Sequence, residues 1–203
     1  MAPARRPPTY ADIEALPEHL VGEIIDGELF VSPRPRPMHS RAETNIIGDL
    51  AGPFDRGRGG PGGWWLLVEP ELHLGLHVLV PDIAGWRRER LPTIPDAAGI
   101  AVAPDWICEV LSPSTAKVDR TRKMSIYCQQ CVDYLWLVDP ILRVVEVYRR
   151  RDQEWVVAGM YTDAPRARIA PFQEIELDLG GWWVPLPPGT AAEPPVTWTV
   201  AGL

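Results

Sequence analysis

The segment Trp106-Ile107-Cys108-Glu109-Val110-Leu111 restricts the fold of this chain more than any other. Successive side chains of a strand point to opposite faces, and here both faces are apolar apart from Glu109. Such a run belongs in the middle of a sheet covered on both sides. An ionised carboxylate in that setting is costly unless a cation or a hydrogen-bond donor neutralises it. A second carboxylate, Asp82, stands after Pro81 at the tip of another apolar, strand-like run, and PDIAGW carries it.

Beyond the central run, Asp119, Lys123 and Tyr127 recur every four positions on a predicted helix and so share one face. Asp82 and Glu109 are far apart in sequence, so they meet only if neighbouring strands bring them together. Two carboxylates and a lysine at one sheet edge suit metal-assisted hydrolysis. Mg2+ and Mn2+ take oxygen ligands, often one or two carboxylates with water and substrate phosphate completing the shell. The backbone carbonyl of Val110, next to Glu109, is a further candidate ligand. A blander account stands beside this one: Asp82 caps a turn after Pro81, and Glu109 pairs with a buried arginine or lysine. Asp119 and Lys123 would then be a surface ion pair worth a few tenths of a kcal/mol. From spacing alone, the surface pair is the simpler account of those two residues.

The remaining elements follow from turn chemistry and periodicity. Tyr10 to Leu20 reads as a short helix capped by Thr9. GEIIDGELFVS reads as a β-hairpin with Asp26-Gly27 at its turn. The Pro-rich SPRPRP leads into a helix from Met38 to about Leu50, and RGRGGPGG reads as a flexible loop. Trp64 to Glu69 is a strand. Glu71 to Val80 alternates, which predicts one strand with Leu72, Leu74, Leu76, Val78 and Val80 on a single face. Strands are also expected at Ile83 to Trp86, Trp106 to Leu111, Tyr134 to Val138, Val144 to Tyr148 and Trp155 to Tyr161. Arg149 to Asp152 would turn the last pair, and Ile175 to Leu179 would add a final strand. Pro113 and Ser112 mark the start of the helix that carries Lys123. The order of elements predicts an α+β fold around a central mixed β-sheet flanked by helices.

Composition limits the alternatives. At 203 residues, 46% hydrophobic and 23% charged, the chain reads as a globular protein able to bury a core. No apolar run reaches membrane-spanning length, and MAPARRPPTY has no apolar segment behind its basic residues. A cytoplasmic protein with no membrane partner is the expectation. The odd set Cys108, Cys128 and Cys131 forms no disulfide framework. Cys128 and Cys131 form a CxxC, but His19, His39, His73 and His77 do not complete a zinc site around it. A net charge of −7 argues against nonspecific coating of nucleic acid. Basic residues still cluster at Arg34, Arg36 and Arg41, at Arg56 and Arg58, and at Lys117, Arg120, Arg122 and Lys123. The adjacent pairs Trp64-Trp65 and Trp182-Trp183 suit core or oligomer contacts better than base stacking.

The ordered series GEIIDGELFVSPRPRPMHS, VPDIAGW, PDWICEVLSPST and DRTRKMSIYCQQCVDYLWLVDP resembles the Uma-two family of restriction-type endonucleases, a branch of the PD-(D/E)XK nuclease superfamily. The resemblance runs from about Tyr10 to Tyr148. It implies a restriction-endonuclease-like domain over residues 1–184, within which the Pro/Arg-rich composition of residues 1–9 reads as a loose arm, and the Pro-rich composition of residues 185–203 reads as an extended or disordered tail. It implies Asp82 and Glu109 as metal-binding carboxylates, with Mg2+ or Mn2+ as the cofactor. It also implies supporting roles for Glu23, beside the hairpin turn, and for His39, which could contact phosphate or relay a proton. The chain departs from the superfamily pattern at Leu111, where the signature has lysine. Lys123, reaching in from the helix, would stand in for it.

The leading expectation is a metal-dependent endonuclease that hydrolyses DNA, working as a homodimer because duplex cleavage usually takes two sites. The competing expectation is an inactive nuclease fold that binds or scaffolds, favoured by Leu111 and the net negative charge. A hydrolase of some other phosphorylated substrate is a third. Fold kinship alone does not choose among them.

Overall fold

The computed structural model of the chain describes residues 6–33, 35–162 and 164–185. Residues 1–5 of the expected arm, Arg34, and residues 186–203 of the expected tail lie outside the described residues. In the described part of the arm, Arg6 donates to the Asp12 carboxylate at 2.8 Å.

Helix α1 (Tyr10–Glu14) begins at Thr9 as expected, and Asp12 accepts the Thr9 N–H at 2.7 Å. It stops short of the predicted Leu20, because Pro17 cannot supply the backbone donor that continuation requires. Strand β1 (Leu20–Ile25) then folds back on β2 (Glu28–Pro33) through Asp26-Gly27. Both turn residues have positive φ, 52° and 74°, as a type I′ hairpin demands. Helix α2 (Pro37–Leu50) opens on a proline and runs into a π-helical turn at Ala51–Asp55. The glycine-rich loop that follows is stitched back, with the Gly62 N–H donating to the Pro53 carbonyl at 2.9 Å.

Strand β3 (Trp64–Val68) matches its prediction closely. The stretch from Glu71 to Val80 does not: it is a hairpin of β4 (Leu72–Leu74) and β5 (His77–Leu79), with Leu72 opposite Leu79. Gly75 turns the chain at φ 64°, a conformation glycine adopts without steric cost. Leu76, expected on the apolar face, is 90% exposed. Strands β6 (Ile83–Arg87) and β7 (Trp106–Val110) follow.

After β7 the chain enters one helical run. It comprises α3 (Ala116–Val118), a π-helical turn at Asp119–Lys123, and α4 (Met124–Gln129). Ser112 Oγ accepts the Thr115 N–H at 3.3 Å just ahead of it. Strands β8 (Tyr134–Asp139), β9 (Val144–Arg151) and β10 (Glu154–Thr162) complete the sheet elements. β9 continues through Arg151, so the final turn falls at Asp152, with φ 54°, later than predicted. Residues 175–179 form no strand. One bridge joins Ala167 to Leu177, and a 3-10 turn follows at Leu179–Trp182. Burial holds this segment in place of sheet pairing: Leu177, Leu179 and Trp182 pack into the core with Trp136 and Phe172.

The predicted α+β class and mixed sheet are observed. Six strands lie in the order β10-β9-β8-β7-β6-β3, with β7 and β8 parallel and the other pairs antiparallel. The α3–α4 run is the crossover that a parallel pair needs. A second, four-stranded sheet has the order β2-β1-β5-β4. All five residues of β7 are buried. Trp106, Cys108 and Val110 face a core shared with Ile46 and Leu50 of α2. Ile107 faces the other core, with Ile126 of α4 and Leu79 of β5. Alternation therefore turns Glu109 toward α4 and the smaller sheet. Cys128 and Cys131 are free thiols. Among the described residues no helix is long and apolar enough to cross a membrane.

Candidate active site

The site forms where β6 and β7 part company. β6 begins at Ile83, opposite Cys108, so the N–H of Val110 lies beyond the strand pairing. The Asp82 carboxylate takes it, Oδ2 accepting at 2.6 Å. Asp82 is thus a side-chain substitute for the next rung of the sheet, held at the strand end. The same oxygen lies 3.1 Å from His39 Nε2, on the first turn of α2.

Glu109 points from the opposite face of β7. Its Oε1 accepts the Tyr127 hydroxyl at 2.6 Å and lies 2.9 Å from Lys123 Nζ. Lys123 also stands 3.1 Å from Glu23 Oε1 on β1 and 3.7 Å from Asp119 Oδ1. Glu23 is fixed in turn by the Val80 N–H, which it accepts at 2.8 Å. The helical face carrying Asp119, Lys123 and Tyr127 therefore packs on the strand that holds Glu109. The pair of Asp119 and Lys123 is buried, each below 5% exposed, and is not the surface pair that spacing alone suggests.

Asp82, Glu109, Lys123, His39 and Glu23 line one pocket of about 180 Å³. Val110 does not line it, and its visible contribution is the N–H that holds Asp82. Glu43 is a residue the sequence reading missed. It lies one turn along α2 from His39, with Oε2 4.0 Å from Nδ1, although both residues are buried. His39 Nδ1 and Glu43 Oε1 lack hydrogen-bond partners among the described residues. The i,i+4 spacing of His39 and Glu43 was the available signal. Tyr127 was visible as part of a helical face, but its bond to Glu109 was not.

The electrostatics are those of too many acids around too few cations. Burial alone would depress the Lys123 ammonium, but Glu109, then Glu23, Tyr127 and Asp119, lift it well above the usual lysine range. Burial pushes Glu109 upward against the opposing pull of Lys123, and Asp119, Asp82 and Glu23 push it further. These two directions compete, because an ammonium keeps its proton by facing ionised carboxylates. With three carboxylates within 4 Å, Lys123 is the group that stays charged. The carboxylates share the deficit: burial raises Asp119 as well, although Lys123 and the Thr115 hydroxyl oppose it. Burial works to lower His39, but its hydrogen bond to Asp82 and that residue's charge carry it above the ordinary value. Burial, with Asp82 and Glu69 adding repulsion, pushes Glu43 up to about 7.

This donor set fits a hard divalent cation. Five carboxylates, Glu23, Glu69, Asp82, Glu109 and Asp119, line the pocket against two permanent cations, Arg36 and Lys123. A further positive charge would relieve the repulsion that raises Glu109 and Asp119. Among the described residues no group of three or more His, Cys, Asp or Glu could cage an ion by itself. A cation held here would take carboxylates from the protein and fill its shell from water and substrate, as Mg2+ commonly does.

Residues 8–180 match the model of the family Uma2, described as "Putative restriction endonuclease". The chain is similar to a crystal structure from Anabaena variabilis, described as "a putative nuclease belonging to DUF820". The two share 26% sequence identity and a TM-score of 0.70, over 87% of this chain and 98% of that one. No curated protein sequence matches the chain.

Proposed function

The chain belongs to the Uma2 family of restriction-type endonucleases, and on that premise we propose that it is a divalent-metal-dependent endonuclease that hydrolyses DNA phosphodiester bonds. The observation that carries this reading is the Lys123 ammonium, buried and 2.9 Å from Glu109, in a chain whose β7 offers no lysine of its own. The inactive-fold alternative drew on Leu111. That residue packs in the apolar core with Ile107 and Leu135, and Lys123 supplies a cation to the same carboxylate from the helix side.

Asp82 and Glu109 would hold Mg2+ or Mn2+, with the Val110 carbonyl as the proposed main-chain donor. Such a cation supplies Lewis-acid polarisation of the phosphoryl group and acidifies water at neutral pH. The protein's own groups do the rest. Lys123 orients the attacking water and offsets the negative charge that develops on the phosphate. Glu23 and Asp119 keep Lys123 charged and in place. The Val110 N–H and His39 fix the rotamer of Asp82, and His39 is a donor within reach of a phosphate oxygen. Tyr127 orients Glu109. Cutting both strands of a duplex calls for two such sites, so a homodimer is the proposed working form, and the cytoplasm is its proposed location.

Mn2+ titration by calorimetry tests the proposal, with wild type compared against Asp82→Ala and Glu109→Ala. Binding in the wild type and none in either variant is the expected outcome. Plasmid nicking in Mn2+ should then vanish in Lys123→Met while its Mn2+ binding persists. A wild type that takes up no Mn2+, or cleavage that survives both carboxylate substitutions, would overturn the assignment.

A further inference from the structure

The three basic clusters visible in the sequence have different fates. Arg120 pairs with Glu146 and Arg122 with Glu28, the latter at 2.7 Å, and Lys123 is buried. That cluster is largely consumed by the protein's own carboxylates. Arg56 and Arg58 lie beyond the C-terminal end of α2, whereas His39 marks the site at its N-terminal end. Arg36 differs from both. It is exposed, makes no ion pair among the described residues, and lines the same pocket as Asp82 and Glu109.

Opposite in character is the Ser112–Thr115 segment, which leads from β7 into α3. Ser112, Ser114 and Thr115 line the pocket too. Ser112 Oγ lies 2.9 Å from Ser114 Oγ and 3.0 Å from Thr115 Oγ1. Each hydroxyl has one proton. Either oxygen of each pair can be the donor, and with Ser112 donating to Ser114 the proton of exposed Ser114 is left to turn outward.

At about 180 Å³ the pocket is smaller than the roughly 300 Å³ at which small-molecule sites begin. A phosphodiester group fits, whereas the sugars and bases on either side must rest on the rim. The acidic floor repels a polyanion, so attraction has to come from the rim as well as from the cation.

We infer that Arg36 and the Ser114 hydroxyl grip the backbone phosphates flanking the scissile one. This rests on reading the pocket as a phosphodiester-hydrolysing site. Arg36 is the charge-bearing contact, forked to suit a phosphate, and Ser114 is a neutral one. Both position the backbone and neither reads base sequence.

The two contacts have different signatures in salt. A cationic contact to phosphate releases a counterion and contributes about one unit to the slope of log affinity against log salt, and a hydroxyl contributes none. The experiment is fluorescence anisotropy of a labelled DNA duplex with the full chain and Ca2+ present, across a range of KCl. Arg36→Gln should weaken binding on the order of tenfold and lower the slope by about one. Arg36→Lys should restore the slope. Ser114→Ala should weaken binding a few-fold with the slope unchanged, and Arg58→Gln should change neither. Mn2+ calorimetry should still show binding in all four variants, which separates loss of duplex affinity from loss of the metal site. If the duplex binds wild type and Arg36→Gln with equal affinity and slope, the rim assignment is wrong while the nuclease reading stands. If the wild type binds Mn2+ but no duplex at any salt, both fall together. Hydrolysis of bis(p-nitrophenyl) phosphate as efficient as that of the duplex would also overturn the rim assignment.

Discussion

Glu43 shows what a single missed residue contributes. Its carboxyl is buried beside His39, yet no hydrogen bond satisfies Oε1 among the described residues. Burial first, then the charges of Asp82 and Glu69, move its ionisation from 4.5 to about 7. A raised carboxyl favours the folded state only while it holds its proton. Its contribution is therefore complete below pH 4.5, falls as pH rises through the interval to 7, and is gone above it. The loss is bounded at about 3 kcal/mol by the size of the shift. Glu43→Gln keeps the shape and cannot ionise. In urea titrations with EDTA present, the variant should match wild type near pH 4.5 and exceed it increasingly up to pH 8. A stability difference that stays flat across that range would show that Glu43 ionises freely in the fold. His39, lifted chiefly by Asp82 against its burial, also loses stabilisation as pH rises. That is why the comparison has to be between variant and wild type and not made on wild type alone.

At the level of elements, periodicity located what packing repeats and missed what a single backbone conformation decides. The alternation from Leu72 to Val80 is real, and a strand through it would have placed Leu76 in the core. Gly75 at φ 64° breaks the strand into β4 and β5 and sends Leu76 to solvent. Among the described residues, the only neighbour a Cβ on Gly75 would approach is Gln130 Nε2 at 3.8 Å, an ordinary contact. Gly75→Ala should thus cost only the left-handed backbone, about 1 kcal/mol, measured by urea unfolding. No cost would mean that the turn does not need glycine. The hairpin matters for the site, because Val80, just past β5, donates to Glu23 and so helps hold Lys123. The central strand was legible because a run apolar on both faces has one place to go, and Asp82, Glu109 and Lys123 were legible as carriers of charge near it. The bond from Val110 to Asp82 was not, since it depends on β6 beginning one step too late to pair there. The Ile175–Leu179 strand failed for a related reason. Apolar residues there are buried by Trp136 and Phe172, and an apolar pattern does not distinguish packing from sheet pairing.

Across the whole molecule, the site is where separate parts of the fold are tied together. Glu23 comes from the four-stranded sheet, Glu109 from the centre of the six-stranded one, Asp82 from the segment between them, and His39 and Lys123 from the two helical runs. One ammonium serves three carboxylates at that junction, so the fold carries unrelieved repulsion where its two sheets meet. A cation bound there acts on the junction and not on one loop. By mass action it should add about 2.7 kcal/mol to unfolding at a hundredfold excess over Kd. Because it relieves the repulsion that Glu23 of β1 and Glu109 of β7 share around Lys123, the gain should appear together in those two strands. Hydrogen exchange of wild type with and without Mn2+ measures this directly. Protection should rise in both strands, with no rise in Asp82→Ala or Glu109→Ala. If protection rises in β7 alone, the cation does not couple the sheets, and the repulsion around Lys123 is balanced within the protein itself.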